Sequence, residues 1–145
     1  MEGLADGNEG TGTETAKDNH IAYRRGARER EEMIPISKES AEHYIWGGQC
    51  DGWHLLKNPE LSVIQERMPP GTAEVRHFHQ RAQQFFYVLA GEAVMEMDGG
   101  PLVLTAGEGI WIPAGVAHQM KNDSGDDVHF LVISQPPSHG DRESA

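Results

Sequence analysis

The sequence predicts an all-β domain, a sandwich or small barrel, from three observations. Apolar residues come in short runs, turn residues break those runs at regular spacing, and no long segment repeats with the helical period. In chain order, Leu61–Val63 and its neighbours alternate as a strand and are stopped by the turn Pro69–Pro70–Gly71. Val75–His79, Gln84–Leu89 and Glu92–Asp98 follow, the last two separated by Ala90–Gly91. Asp98–Gly99–Gly100 signals a hairpin between Met95–Met97 and Leu102–Leu104. Gly107–Glu108–Gly109 leads into Ile110–Ile112, which ends at Pro113–Ala114–Gly115, and His118–Asn122 and Val128–Ser134 complete the series.

The chain ends read differently. Residues 1–16 are rich in Gly, Glu and Thr and bury too little to offset their ordering entropy, while 17–34 have some helix-forming character. The extension 1–32 is therefore expected to be disordered or partly helical, with the folded domain over 33–134. Residues 135–145, polar and punctuated by Pro136–Pro137, are expected to form a C-terminal tail.

Charge and composition exclude several function classes. Twelve Lys+Arg against 23 Asp+Glu give a net charge of −11, which repels a polyphosphate backbone and argues against nucleic acid as a partner. The basic cluster Arg24, Arg25, Arg28 and Arg30 is interleaved with Glu29, Glu31 and Glu32 and reads as a solvated helix face. No apolar run approaches the ~20 residues of a membrane span, and no positive patch precedes an apolar run at the N-terminus. A cytoplasmic address without membrane partners is the expectation. Cys50 is the only cysteine, so neither an intrachain disulfide nor a cysteine metal cage is available; it is expected to be a small buried residue.

His77 and His79 lie two apart in an expected strand, so their side chains leave the same face. Gln84, Phe86 and Val88 share one face of the next strand, and His118 follows a Pro-x-Gly turn with Met120 two residues on. Imidazoles presented from separate strands into a barrel suit a first-row transition metal. A histidine pair on a strand is also what solvated or half-buried imidazoles produce, so the pair alone is a weak signal.

The spacing is more specific. Gly71-x5-His77-x-His79-x4-Gln84-x6-Gly91 resembles the first cupin motif, with Gln where that motif usually has Glu. Gly107-x5-Pro113-x-Gly115-x2-His118-x3-Asn122 resembles the second without exception, and 15 residues separate the two. The resemblance covers roughly residues 60–134 and is to small single-domain microbial cupins. It implies a double-stranded β-helix, the jelly-roll barrel, with Tyr44–Leu56 as an added first strand. It also implies His77, His79 and His118 as ligands of a divalent transition metal, with Gln84 in the fourth ligand position. Iron, manganese, zinc, nickel and copper are not distinguished. Gln83 would fit a spacing one residue shorter, but the six residues between Gln84 and Gly91 favour Gln84. Cupin barrels generally pair, so a homodimer is expected.

The glutamine alters the chemistry. Three neutral imidazoles and an amide leave a divalent cation its whole charge, where a carboxylate would remove one unit. That difference is on the order of several kcal/mol at short range in a low-dielectric cavity, so a small anionic ligand is expected to complete the site. An amide does not titrate in the useful range, so Gln84 cannot serve as a general base. Three functions fit: a dioxygenase-like metal enzyme, a non-redox isomerase, epimerase or lyase on a sugar or keto acid, and a non-catalytic small-ligand binder. Strand parity places Phe86, Val88 and Met120 on the inner wall. Trp46, Trp53 and Trp111 are read as core, and Gln65, Arg67, Tyr87 and His129 are the polar residues considered for the cavity.

Overall fold

The computed structural model describes residues 33–145. The expected disordered or helical extension at 1–32, with its arginine cluster, lies outside the described residues. All elements fall within the compact unit Ile36–Ala145. They are β1 (Glu42–Trp46), β2 (Cys50–Lys57), β3 (Ser62–Met68), β4 (His77–Phe78), β5 (Gln83–Ala90), β6 (Glu92–Met97), β7 (Gly100–Thr105), β8 (Gly109–Ile112), β9 (Gln119–Lys121), β10 (Val128–Gln135) and β11 (Glu143–Ser144). No helix occurs among the described residues, so none there is long and apolar enough to cross a membrane.

The strands form a six-stranded sheet in the order β1-β2-β3-β10-β5-β8, a three-stranded sheet β7-β6-β9 and a two-stranded ladder β11-β4. This is the expected all-β jelly-roll architecture. Strict alternation builds it: in β5, Gln84, Phe86 and Val88 are buried while Gln83, Phe85 and Tyr87 are not. β10 does the same with Val128, Phe130, Val132 and Ser134. One apolar cluster joins the two larger sheets, with Met68, Phe86, Val88, Ile112, Phe130 and Val132 from the first and Ala93, Met95, Leu104 and Met120 from the second. Phe86, Val88 and Met120 thus face inward as parity predicts, and Cys50 is buried and free.

Two glycines show why the motif spacing is rigid. Gly91, at φ +88°, turns β5 into β6 where an added Cβ would strike the Asp127 carbonyl oxygen and Val128 Cα. Gly115, at φ +86°, donates its backbone N–H to the His79 carbonyl at 2.7 Å, which locks the turn before His118 to the segment carrying His79.

Several expectations are corrected. Tyr44–Leu56 is a hairpin of two strands, β1 and β2, because Gly47 and Gly48 adopt φ of +59° and +84° and reverse the chain. The strand expected over Val75–His79 is only His77–Phe78, with an isolated bridge at Ala73. Trp111, read as core, is 59% exposed, since Ile110 and Ile112 take the inward parity of β8; its Nε1–H donates to Gln83 Oε1 at 2.9 Å. Of residues 135–145, read as a tail, Gln135 ends β10 and the residues after it fold back so that β11 pairs with β4, Ser144 opposite His77.

Candidate metal centre

The site begins with two short backbone devices. His77 and His118 form an isolated antiparallel bridge, and each donates its Nδ1–H to the carbonyl of a valine two residues upstream. His77 uses Val75 O at 2.7 Å and His118 uses Val116 O at 3.0 Å. His79 donates Nδ1–H to a distant carbonyl, Asp141 O, at 2.7 Å. A carbonyl oxygen only accepts, so the neutral form of each ring carries its proton on Nδ1 and presents the Nε2 lone pair. The ring centroids are 4.5 Å (His77–His118), 4.8 Å (His77–His79) and 5.7 Å (His79–His118) apart. All three rings are buried, and their potential ligand atoms lie within 4.8 Å of one another.

Gln84 faces the same interior from β5 and is buried. Its Nε2–H donates to Ser134 Oγ at 2.9 Å. Gln83 points outward, bonded to Gln135 and Trp111, so the longer motif spacing identifies the inward residue. His79 Nε2, His118 Nε2 and Gln84 Oε1 are buried without any hydrogen-bond partner. Buried acceptors left unpaired are costly, and convergent lone pairs on neutral imidazoles are what a transition metal ligates. The donor set fits a metal ion, which the three histidines can hold.

Electrostatics point the same way. Burial, helped by Arg142 and the other imidazoles and opposed by the hydrogen bond to Val75 O, holds the His77 pKa down at about 4, and burial lowers that of His118. Both rings therefore stay neutral at physiological pH, the form that binds metal.

A cavity of about 460 Å³ opens above His77, His79 and Gln84, while His118 lies fully buried against Phe86. Tyr44, Glu66, Glu74, Lys57, His139 and Arg142 also line it. Glu66 accepts a hydrogen bond from Tyr44 Oη at 3.3 Å, and Glu74 Oε2 accepts Met120 N–H at 2.9 Å. Burial, reinforced by the charge of Glu74, raises the Glu66 pKa to about 8, and burial raises that of Glu74 to about 7. Burial and Glu66 also push up the Tyr44 hydroxyl.

Gln65, Arg67, Tyr87 and His129 do not line this cavity. Gln65 and Tyr87 both register with Leu131, and Arg67 registers with His129, on the parity opposite to Phe130. Arg67 instead bonds Asp51 at 2.7 Å and Asp127 at 3.1 Å. Glu66, on the inward parity beside Phe130, was the legible signal: a carboxylate between Ile64 and Met68 on the inward side of β3. Trp46 reaches both core and cavity, whereas Trp53 stacks near His43 with ring centroids 5.3 Å apart.

Comparison with known proteins finds the same architecture. Residues 64–134 match the model of the cupin domain. The oxalate-binding protein of Thermotoga maritima is 26% identical over 91 residues, which span 59% of this chain and 75% of that protein. Quercetin 2,3-dioxygenase of Bacillus subtilis is 32% identical over 65 residues, 45% of this chain but 19% of that enzyme. A sugar phosphate isomerase structure from Silicibacter pomeroyi superposes with a TM-score of 0.64 at 22% identity, covering 72% of this chain and 76% of that one. That likeness is one of fold.

Proposed function

Since the chain belongs to the cupin superfamily, we propose that it is a metal-dependent, dioxygenase-like enzyme acting on a small anionic organic substrate. The observation that carries this reading is the triad His77, His79 and His118 with every Nε2 free of its own proton, beside an uncharged Gln84. These four residues are the proposed metal ligands, with Gln84 Oε1 in the fourth place. A divalent iron, manganese, nickel, zinc or copper ion held there would supply Lewis acidity, and a redox-active one access to dioxygen.

The chain's own residues do the rest. Arg142 and Lys57 on the cavity wall attract an anion. Phe86 and Val132 exclude water from its apolar part. Glu66 holds a proton at neutral pH and can pass it to a substrate from one carboxyl oxygen, while Oε2 accepts the hydrogen bond from the Tyr44 hydroxyl. That places proton handling away from the motif position that Gln84 occupies. The relationship to an oxalate-binding protein supports an anionic ligand, and that to quercetin 2,3-dioxygenase supports the oxygenase class.

Two further parts of the proposal concern the molecule as a whole. Phe85, Tyr87, Leu89 and Trp111 form an exposed apolar stripe on the outward side of β5 and β8, which supports a homodimer. The free, buried Cys50 supports a cytoplasmic address.

A second reading has its own observation. A carboxyl that titrates near neutrality in the cavity suits proton transfer in a non-redox isomerase, epimerase or lyase. Elemental analysis of the purified chain, with O2 uptake against thiols, diketones, phenols and carboxylic acids, separates the readings. Iron with substrate-linked O2 consumption is the expected result. Anaerobic turnover with zinc, manganese or nickel would replace it by the second reading, and ligand binding without turnover would leave a non-catalytic binder.

A further inference from the structure

The three imidazoles are not held alike. His77 and His118 each find an acceptor two residues away in their own segment, at Val75 O and Val116 O. His79 lies just beyond the two-residue strand β4, and its Nδ1 acceptor, Asp141 O, is 62 residues away in the C-terminal segment. The orientation of the His79 ring therefore depends on where that segment docks.

Asp141 is itself fastened at the place it must hold. Its Oδ1 accepts the backbone N–H of Gln80 at 3.0 Å, and its Oδ2 accepts those of Arg81 and Ala82, each at 2.9 Å. These three amides follow His79 directly in sequence, so one residue grips both the imidazole and the loop that carries it. Charge-assisted bonds from backbone N–H groups to a carboxylate are among the stronger polar contacts. The neighbouring residues continue the strap. Arg142 donates to Val75 O at 3.3 Å, the same carbonyl that receives His77 Nδ1–H. Glu143 accepts from Gln80 Nε2 at 2.7 Å, and Ala145 N–H donates to Arg76 O at 3.2 Å.

We propose that Asp141 is a positioning residue of the metal centre: its carboxylate clamps the Gln80–Ala82 loop and so holds its own carbonyl against His79 Nδ1, committing that ring to the tautomer whose Nε2 is free. The proposal rests on the reading of His77, His79 and His118 as a metal site. An imidazole without a fixed acceptor shares its proton between both nitrogens and turns about its side-chain bonds, and each alternative removes a ligand lone pair from the cluster. Loss of a partner that orients a ligand typically costs about 10–100-fold in metal affinity.

The test uses the full chain, metal-free and titrated with Zn2+ against a chromophoric chelator. Asp141→Ala is expected to weaken Zn2+ binding by about 10–100-fold, and Asp141→Asn, which keeps one accepting oxygen, by less. Long-range 1H–15N spectra of the metal-free protein add a readout that a general loosening would not move. His79 should lose its single Nδ1–H tautomer in Asp141→Ala, while His77 and His118 keep theirs. Glu143→Ala, which removes a strap contact but leaves Asp141 in place, should change affinity by no more than about twofold. If Asp141→Ala does not fold, Asp141→Asn carries both readouts. Unchanged Zn2+ affinity with an unchanged His79 tautomer would overturn the proposal, and so would equal weakening by Asp141→Ala and Glu143→Ala. Failure of the unaltered chain to take up Zn2+ while His79 keeps its tautomer would instead remove the metal-site reading, and the proposal with it.

Discussion

His77 and His118 exchange both backbone hydrogen bonds, 3.1 Å from His77 N–H to His118 O and 2.9 Å in return. The two motifs of the chain thus meet through main-chain atoms before any metal is considered, and that pairing brings the ring centroids to 4.5 Å. The site is preorganised by backbone pairing at this point and by the C-terminal strap at His79.

The amide at position 84 should set ligand preference. Gln84→Glu is expected to bind metal at least as tightly and oxalate more weakly, by about tenfold or more. One unit charge at ~4 Å is worth about 4 kcal/mol at an effective dielectric of ~20, so the loss should be measurable. Calorimetric titration of oxalate into both metal-loaded proteins checks this, and equal or tighter binding by the variant would count against it.

Stability of the metal-free protein should fall across neutral pH. The folded Glu66 pKa of about 8 exceeds its ordinary value of 4.5, so the folded state binds the extra proton and stability declines as pH rises through that interval. His77, held down at about 4 from 6.5, acts oppositely, since the unfolded state binds the extra proton below pH 6.5. The two effects offset each other under acid conditions and leave the glutamate effect uncovered above them. Between roughly pH 6.5 and 8, loss of up to about 2 kcal/mol is expected from Glu66, with Glu74, raised to about 7, adding to it at the lower end; Glu66→Gln should remove the decline above pH 7, by denaturant titration at each pH.

The exposed aromatic stripe should mediate self-association. Trp111→Glu is expected to raise the dimer dissociation constant by on the order of a hundredfold while leaving the far-ultraviolet spectrum unchanged. Sedimentation velocity measures it; a wild-type monomer at all concentrations would remove the idea.

At the β5–β6 turn, Gly91→Ala should cost about 2–4 kcal/mol. The new methyl group would meet the Asp127 carbonyl in a left-handed conformation that alanine rarely adopts. Thermal unfolding reports the loss.

What could be read from the sequence was whatever spacing encodes locally. The turn glycines and the β5 alternation placed Gln84, Phe86 and Val88 on the inward face, since parity and positive φ are properties of neighbouring residues. Parity could not place Gln65, Arg67, Tyr87 and His129, because strand alternation gives two faces without saying which one is inner until partners such as Phe130 are known. Trp111 went astray for a related reason: hydrophobicity suggested burial, while Ile110 and Ile112 already occupied the inward side of β8. Asp141 and Arg142 were out of reach altogether. Their segment is polar, and its contacts with His79 and Val75 span 62 and 67 residues.

Metal stoichiometry and X-ray absorption of the full chain loaded with zinc or iron decide whether the three histidines form a metal site. One ion per chain is expected, with scattering from three imidazoles and loss of the ion on substituting alanine at His77 or His118. An ion bound with fewer imidazoles, or one retained undiminished in both variants, would contradict that reading.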